Sequence, residues 1–293
     1  MAGSAGARAA PKALLLAMNG NCVEALSFPP PALYNIDGMK RRLLPVLVAL
    51  FLLVSLAGAG FLEAQRRFFG NRNPMIYEAN EPPDTEFVFI RLRYNTHGGS
   101  WGMSGWEHDY PQAEWHINTL AREATVLDIE RMSYKVLDMD DPELFNYPFA
   151  YISEPGTMNM TDAELKNFKE YLDRGGFVMV DDFNGYNDLS NWDYNLKRMY
   201  PGREMIPLTV DHPIFHTFYD ITDLDLTAIY VSEGWPVFYG YPSEDGKNIS
   251  MIICYNNDLG DYWEWLDQPR YPLQPSAEGV RLGINFLIYS MTH

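Results

Sequence analysis

Cysteine and positive charge are both scarce in this 293-residue sequence. It has two cysteines, and its 22 Lys and Arg residues are outnumbered by 39 Asp and Glu residues, which gives a formal net charge of −17. An acidic surface repels phosphate backbones, so the composition argues against nucleic-acid binding. A hydrophobic fraction of 47% and an aromatic fraction of 14% exclude a disordered chain. The sequence therefore predicts an acidic, aromatic-rich globular protein.

The two cysteines fall in different parts of the chain. Cys22 lies in an Ala-, Gly- and Pro-rich N-terminal stretch, and Cys254 is the single cysteine of residues 60–293. The part of the chain after residue 59 therefore cannot form an internal disulfide and has no cysteine pair for a metal ion. That part carries 17 basic and 37 acidic residues, a balance of −20.

One long apolar run lies near the N-terminus. Lys40, Arg41 and Arg42 precede residues 43–62, which carry no charge and include the small residues of the Ala57-Gly58-Ala59 tripeptide. This pattern is typical of a secretory signal. The run is also long enough to be an uncleaved membrane anchor. We expect cleavage after Ala59, with the anchor as the alternative, and hence an extracytoplasmic protein, either periplasmic or secreted.

These features divide the sequence into four segments. We predict that residues 1–38 are a non-native or disordered upstream extension, because Met39 opens a complete signal sequence. Residues 39–60 are the signal peptide or N-terminal membrane anchor, and residues 61–84 are a Pro-containing linker. Residues 85–293 are expected to form a single domain.

Strand and helix patterns alternate through this domain. Strands are predicted at Glu86–Arg93, Tyr134–Leu137, Pro148–Ser153, Phe177–Val180 and Asn248–Tyr255. Helices are predicted from Pro111 to about Glu123, after a Thr161–Glu164 capping box, and from Ser276 onward. The stretch between the last two strands looks loop-rich. Crossover helices between strands favour a three-layer α/β fold, with a mostly parallel sheet and helices on both faces.

Polar residues follow the predicted strands at the edge where parallel sheets bind ligands. The catalytic candidates are Asp181, Asp182, Glu154 and His212, and the ligand-binding candidates are Arg93, Tyr94, Trp106, Asp109, Asn257 and Asp258. Adjacent residues of a strand begin on opposite faces, so at most one of the two Asp181-Asp182 carboxylates should enter a shared pocket while the other caps a turn. Carboxylates of separated pKa can perform acid–base chemistry, whereas the alternative is that they bind loop amides.

Signals for a metal or a nucleophile are weak. His212 and His216 have the spacing of helical metal ligands, but Pro213 favours His212 as a helix cap instead. His108 and Asp109 precede a helix without a specific metal spacing. The His-Gly-Gly sequence at 97–99 resembles an esterase oxyanion loop, but no Gly-x-Ser-x-Gly elbow accompanies it. We therefore expect neither a metal nor another cofactor.

Four segments carry a resemblance to a known family. They are PFAYISEPG (148–156), LKNFKEYLDRGGFVMVDDF (165–183), DHPIFHTFY (211–219) and GINFLIYSMTH (283–293). They resemble the domain-of-unknown-function family 4159 over most of residues 85–293. The resemblance implies a fold related to class I glutamine amidotransferase-like, flavodoxin-like domains, but no established chemistry. A thiol amidase needs its cysteine at a strand-to-helix elbow near a histidine, and Cys254 lies inside a predicted strand, so thiol glutaminase activity is not expected.

Aromatic residues in loop-like sequence offer a binding surface. One group runs from Trp101 to Trp115 and the other from Trp235 to Trp265, and both are interleaved with Asp or Asn. Such residues stack on sugars, grip a peptide or close the ends of a core. The leading hypothesis is a non-catalytic binding or assembly module of the cell envelope that recognises a protein or glycan, with a membrane contact if residues 43–62 stay uncleaved. The alternative is a hydrolase of an amide or glycan that uses the strand-end carboxylates and His212.

Overall fold

A single mixed sheet organises the chain in the computed structural model. Its strands are β1 (Phe89–Arg93), β2 (Tyr134–Asp138), β3 (Phe149–Ser153), β4 (Phe177–Phe183), β5 (Ile206–Pro207), β6 (Val237–Pro242) and β7 (Ile249–Tyr255). They lie in the order β2-β1-β3-β4-β7-β6-β5. The first five in this order run parallel, and β6 and β5 add antiparallel strands at one edge. The predicted mostly parallel sheet is confirmed.

The structure describes residues 80–96, 105–225 and 234–293, all of which belong to one unit, Tyr77–His293. The predicted signal or anchor, most of the linker, the His-Gly-Gly sequence at 97–99 and Trp101 lie outside the described residues. Within the described ranges, no helix combines the length and the apolar character that crossing a bilayer requires.

Helices cover both faces of the sheet. They are α1 (Gln112–Ala124), α2 (Asp162–Asp173), α3 (Gly185–Met199), α4 (Leu259–Glu264) and α5 (Leu273–Thr292), together with 3₁₀ turns at Pro142–Asn146, Pro155–Thr157 and Pro213–His216. Buried residues of α1, α4 and α5 form a core with one face of the sheet. Buried residues of α2 and α3 form a second core with the other face. The three-layer α/β architecture is therefore confirmed.

The central strands show why this sequence forms a covered sheet. In β3, Phe149 and Tyr151 enter one core, whereas Ala150 and Ile152 enter the other. All four are fully buried. Strands that are buried on both faces need continuous rather than alternating apolar sequence, as this segment has. The Thr161–Glu164 capping box is also present, and it starts α2 at the expected residue.

The prediction of a loop-rich stretch between the last two predicted strands was wrong. Residues 184–247 contain the fifteen-residue helix α3 and the six-residue strand β6. The α3 sequence is rich in Gly, Asn, Asp, Ser and Tyr, which are weak helix formers, and its N-cap Asn184 makes no side-chain capping bond. Burial of Trp192, Leu196 and Met199 against the sheet stabilises the helix despite its composition.

Candidate functional site

Four residues with left-handed backbone mark one edge of the sheet. Among the described residues, the non-glycine positions with positive φ are Asp109 (64°), Glu154 (47°), Asp182 (57°) and Asn256 (53°). Three lie at the carboxyl ends of β3, β4 and β7, and Asp109 lies in the loop that follows β1. A left-handed non-glycine residue costs conformational energy, and such residues cluster at binding and active sites. Their convergence on this edge defines the candidate site.

Asp181 and Asp182 lie at the centre of this edge. Asp181 Oδ2 accepts hydrogen bonds from Leu259 N at 2.8 Å and Gly260 N at 2.9 Å, and it receives the Tyr151 hydroxyl at 3.1 Å. This carboxylate therefore caps α4, which begins 78 residues later in the sequence. One aspartate was expected to cap a following turn, and Asp181 instead caps a distant helix.

Asp182 departs from the regular alternation of the strand. The pairing of β4 with β7 is irregular between Val180 and Phe183, and Asp182 itself is left-handed. A bulge of this kind re-aims a side chain at a strand end. The Asp182 carboxylate lies 2.8 Å from His108 Nδ1 and 3.3 Å from Ser153 Oγ.

His108 joins two of the aspartates. Its Nδ1 lies 2.8 Å from Asp182 Oδ2 and 3.1 Å from Asp109 Oδ1, at ion-pair distances but without hydrogen-bond alignment. Burial by itself lowers the pKa of His108, but the contacts with Asp109 and Asp182 outweigh it and raise the pKa to about 12. His108 is therefore a cation that holds two carboxylates of different loops together.

The loop that carries His108 and Asp109 is held by a buried arginine of β1. Arg91 pairs with Glu114 of α1, and its Nη1 donates to the carbonyls of Trp106 at 2.9 Å and His108 at 2.6 Å. The Arg91 guanidinium also lies 4.7 Å from the Tyr151 ring centroid. Arg91 therefore fixes the position of the loop from inside the protein.

Glu154 stands beside this group at the end of β3. The Tyr94 hydroxyl lies 2.5 Å from the carbonyl oxygen of Ser153 and 2.7 Å from that of Glu154, and it holds the strained backbone there. Burial raises the pKa of Glu154 to about 7, and the negative charge of Asp182 adds to the effect. A carboxyl group of this kind can hold or release a proton near neutral pH.

The buried aspartates differ from one another in their surroundings. Burial raises the pKa of Asp181 to about 8, with Asp182 as the next cause. Burial raises the pKa of Asp109 to about 6, although His108 opposes the rise. Burial, followed by the charge of Asp182, also raises the pKa of Asp258 well above its usual range. Burial thus stabilises the protonated forms of these carboxyl groups.

The residues after β7 serve mainly to shape the backbone. Asp258 is the N-cap of α4, and its Oδ1 accepts from Asp261 N at 2.8 Å. Asn257 accepts from the amide of Asp258 at 3.0 Å and is fully buried. Asn256 accepts from Gly185 N at 3.1 Å and donates to the carbonyl of Trp235 at 3.3 Å. These side chains connect the end of β7 to the starts of α3 and α4.

A polar cavity of about 590 Å³ lies next to the site, at the ends of β1 and β2. Arg93, Tyr94 and Trp106 line it, as does Asp138, which Arg93 contacts through two hydrogen bonds of 2.5 and 2.7 Å. The volume is within the range of small-molecule sites. Trp106 also provides a carbonyl that accepts from Arg91, so the loop that carries His108 and Asp109 forms part of the cavity lining.

His212 lies in a different setting from the other candidates. It caps the 3₁₀ turn Pro213–His216, where its Nδ1 accepts from Ile214 N at 3.3 Å, and its ring lies edge-on to Phe215. This turn belongs to the core that α5 completes. His212 therefore acts as the predicted helix cap and lies outside the site. Arg93 lies in the neighbouring cavity. The structure brings the other candidates to one sheet edge: Asp181, Asp182, Glu154, Tyr94, Trp106, Asp109, Asn257 and Asp258.

Sequence reasoning missed three members of this site. His108, rather than His212, is the histidine that contacts Asp182. Asp261 and Glu264 of α4 lie near Asp109. The available signal was the acidic spacing Asp258-x-x-Asp261-x-x-Glu264, which places carboxylates on adjacent turns of a helix. The long distance in sequence between Asp109 and Asp261 hid their proximity.

Comparison with known proteins places this chain in a family. No curated protein matches it. Residues 88–291 match the model of the family described as Domain of unknown function (DUF4159), a range that includes β1 to α4 and all but the last residue of α5. The match covers the whole candidate site. The chain therefore belongs to the DUF4159 family, as its sequence segments predicted.

Proposed function

We propose that this domain is a hydrolase of an amide or glycosidic bond, with its reacting groups at the carboxyl ends of β3 and β4. The observation that carries the proposal is the convergence of the four left-handed residues Asp109, Glu154, Asp182 and Asn256 on one edge. Strained backbone at a single site, with two of these carboxylates contacting one histidine, is the arrangement expected of catalytic groups held in place.

The roles follow from the environment of each carboxylate. Glu154 is partly exposed, its carbonyl accepts a hydrogen bond from Tyr94 of the cavity wall, and its pKa near 7 suits a general acid or base. Asp182 is buried and contacts the His108 cation, so for a glycoside substrate it suits the charged partner that stabilises the positive charge developing at the anomeric carbon. Arg93, Tyr94 and Trp106 line the cavity in which the substrate would lie.

A relationship to class I glutamine amidotransferase-like domains is part of this proposal, because the parallel sheet with two helical layers suits it. The proposal does not include thiol glutaminase chemistry. Cys254 is fully buried within β7, and burial, together with the charge of Asp181, raises the pKa of its thiol well above the usual range. Such a thiol stays protonated and is a poor nucleophile.

The test is turnover of chromogenic substrates by the full-length protein. We expect hydrolysis within a panel of 4-nitrophenyl glycosides and peptidyl 4-nitroanilides, and a fall in kcat of at least 100-fold in Glu154→Gln and Asp182→Asn. Asp245→Asn is the matched control, since Asp245 is half-exposed and pairs with Lys247 in the turn between β6 and β7, away from the cavity. If neither the glycosides nor the anilides are hydrolysed, or if all three variants hydrolyse them at equal rates, the proposal is contradicted.

A non-catalytic binding module is the second candidate, and one observation favours it. Trp235 and Tyr186 are 65% and 80% exposed, and Asn256 bonds the backbone of Trp235 and of Gly185, next to Tyr186. Two exposed aromatic residues on either side of one side chain suit stacking on a sugar or a peptide. This candidate predicts binding of soluble peptidoglycan fragments that is lost in Trp235→Ala and kept in the control Phe218→Ala, without turnover.

An extracytoplasmic location also belongs to the proposal, and it rests on the basic residues and apolar run of residues 39–62. We expect the domain to leave with the periplasmic or secreted fraction if residues 39–60 are cleaved, and to be digested by protease added to intact spheroplasts if they anchor it. Protection until the membrane is lysed would contradict this location.

A further inference from the structure

A group of three carboxylates lies beside the proposed reacting groups. Asp261 and Glu264 are one turn apart on α4, and Asp109 approaches them from the loop after β1. One ligand oxygen of each lies within 4.8 Å of the others. Asp109 and Asp261 are buried, and Glu264 is partly exposed. Water and ions can thus reach the group from the Glu264 side.

Asp109 has an unusual lack of partners for a buried carboxylate. The residue is 6% exposed and its side chain is fully buried, and neither carboxylate oxygen accepts a hydrogen bond from the described residues. Oδ1 lies 3.1 Å from His108 Nδ1, at ion-pair distance, whereas Oδ2 makes no ion pair with a described residue. A buried carboxylate normally accepts several hydrogen bonds, because its desolvation is otherwise uncompensated. This carboxylate has acceptor capacity for a ligand.

Among the described residues, few positive charges lie near this group of carboxylates. Five aspartates of the site are at least nine-tenths buried: Asp109, Asp181, Asp182, Asp258 and Asp261. Of the described cations close to Asp109, His108 is shared with Asp182, and Arg91 pairs with Glu114. With so little positive charge nearby, these buried carboxyl groups either keep their protons or require a counter-ion, and a bound cation would displace the protons.

Hydrogen bonds from two neighbouring side chains orient the Asp261 carboxylate. Asp261 Oδ1 accepts from Trp265 Nε1 at 3.1 Å, and Asp261 Oδ2 accepts from the Tyr271 hydroxyl. Outer hydrogen bonds of this kind orient metal-ligating carboxylates. Glu264 makes no such contact among the described residues, so its carboxylate is free to turn toward an ion.

We propose that Asp109, Asp261 and Glu264 bind a hard divalent cation of the Ca²⁺, Mg²⁺ and Mn²⁺ class. Three carboxylates supply only oxygen donors, which these ions prefer, and water would complete the coordination. One divalent ion would offset two of the three negative charges, and the His108 cation, which is shared with Asp182, offsets part of the third. The proposal departs from the expectation of a metal-free protein, and it stands apart from the proposed hydrolase because cation binding is measured without substrate.

The experiment is titration of full-length, EDTA-treated protein with CaCl₂ and MnCl₂, followed by calorimetry and thermal unfolding. We expect saturable binding of one ion and a rise in Tm of several degrees for at least one of the two metals. Glu264→Gln should weaken the Kd at least tenfold. This side chain is partly exposed and makes no hydrogen bond that its replacement would break, so the variant should fold. Asp245→Asn, which neutralises a half-exposed carboxylate paired with Lys247, is the matched control and should bind as the wild type does.

A second variant locates the ion. His108, Asp182 and Asp258 form a neighbouring group whose ligand atoms are equally close, and it contains a nitrogen donor. The proposal predicts that His108→Gln retains cation binding. Loss of binding in His108→Gln with wild-type binding in Glu264→Gln would place the ion in the other group and overturn the proposal. Absence of saturable binding by the wild type would overturn it too.

Discussion

Replacement of Asp109 by asparagine should stabilise the cation-free protein at neutral pH. Asp109 is buried, and neither of its oxygens accepts a hydrogen bond. Asparagine has nearly the same shape and carries no charge, so the change removes a buried anion that His108 compensates only in part, at little cost in packing. A gain in stability from deleting a charged side chain is the opposite of the usual mutational effect.

The size and the pH dependence of the gain follow from proton linkage. Burial raises the pKa of Asp109 from 3.8 to about 6. The folded state therefore keeps this proton to higher pH than the unfolded state does, and the carboxyl group lowers stability progressively as pH rises from 3.8 to about 6. The cost above that range is on the order of 3 kcal/mol, which for a domain of this size corresponds to roughly 5–10 °C in Tm.

The assay is thermal and urea unfolding in EDTA at pH 4.5 and pH 7.5. Asp109→Asn should unfold at a higher temperature than the wild type at pH 7.5, and the difference should shrink at pH 4.5. The matched control is Asp138→Asn, in which the neutralised carboxyl group is half-exposed and has its pKa lowered by its hydrogen bond to Arg93. That variant should lose up to about 1 kcal/mol at pH 7.5, which is the opposite sign.

A loss of stability of more than about 1 kcal/mol in Asp109→Asn at pH 7.5 without cation would contradict this prediction, because it would show that the Asp109 carboxylate accepts stabilising hydrogen bonds of ordinary net size. With saturating CaCl₂ or MnCl₂ the order of stability should reverse, because the wild type gains the energy of the bound ion and the variant does not.

The other predictions concern the framework of the site, and urea unfolding measures all of them. Gly260→Ala should destabilise the protein by about 1–3 kcal/mol, because the added Cβ would lie 2.3 Å from Oδ2 of the buried Asp109. The control Gly202→Ala, which has open space around the added Cβ, should be neutral or slightly stabilising. Arg91→Leu should cost about 3–5 kcal/mol by leaving Glu114 buried without its partner, and a double variant with both residues changed to Leu should recover part of the loss; an additive double variant would refute the pairing. Thr161→Ala should cost about 1 kcal/mol by removing the α2 cap, and an unchanged midpoint would contradict this.

The architecture was largely predictable because it depends on local patterns. The segment PFAYIS is apolar on both faces, which occurs where helices cover both sides of a sheet, and Thr161 with Glu164 starts α2 in the expected way. α3 escaped prediction because its residues are weak helix formers, and contacts of Trp192, Leu196 and Met199 with the sheet stabilise it.

The candidate site was predictable only in part. Glu154, Asp181 and Asp182 follow strands, so the rule for parallel sheets placed them at the correct edge. His212 was assigned to the same site because of its residue type, but its side chain caps a turn in a core. His108 had no local signal, since its role depends on Asp182, which lies 74 residues later.

The sequence by itself determined the layered α/β fold, the family, the acidic character and the edge of the sheet where polar residues gather, because strand and helix periodicity are properties of neighbouring residues. The tertiary structure decided which of these polar residues meet. A bulge at Asp182 and a left-handed turn at Asp109 bring distant carboxylates to His108, and α4 adds Asp261 and Glu264. Such contacts depend on backbone geometry between segments far apart in the chain, and no local pattern encodes them.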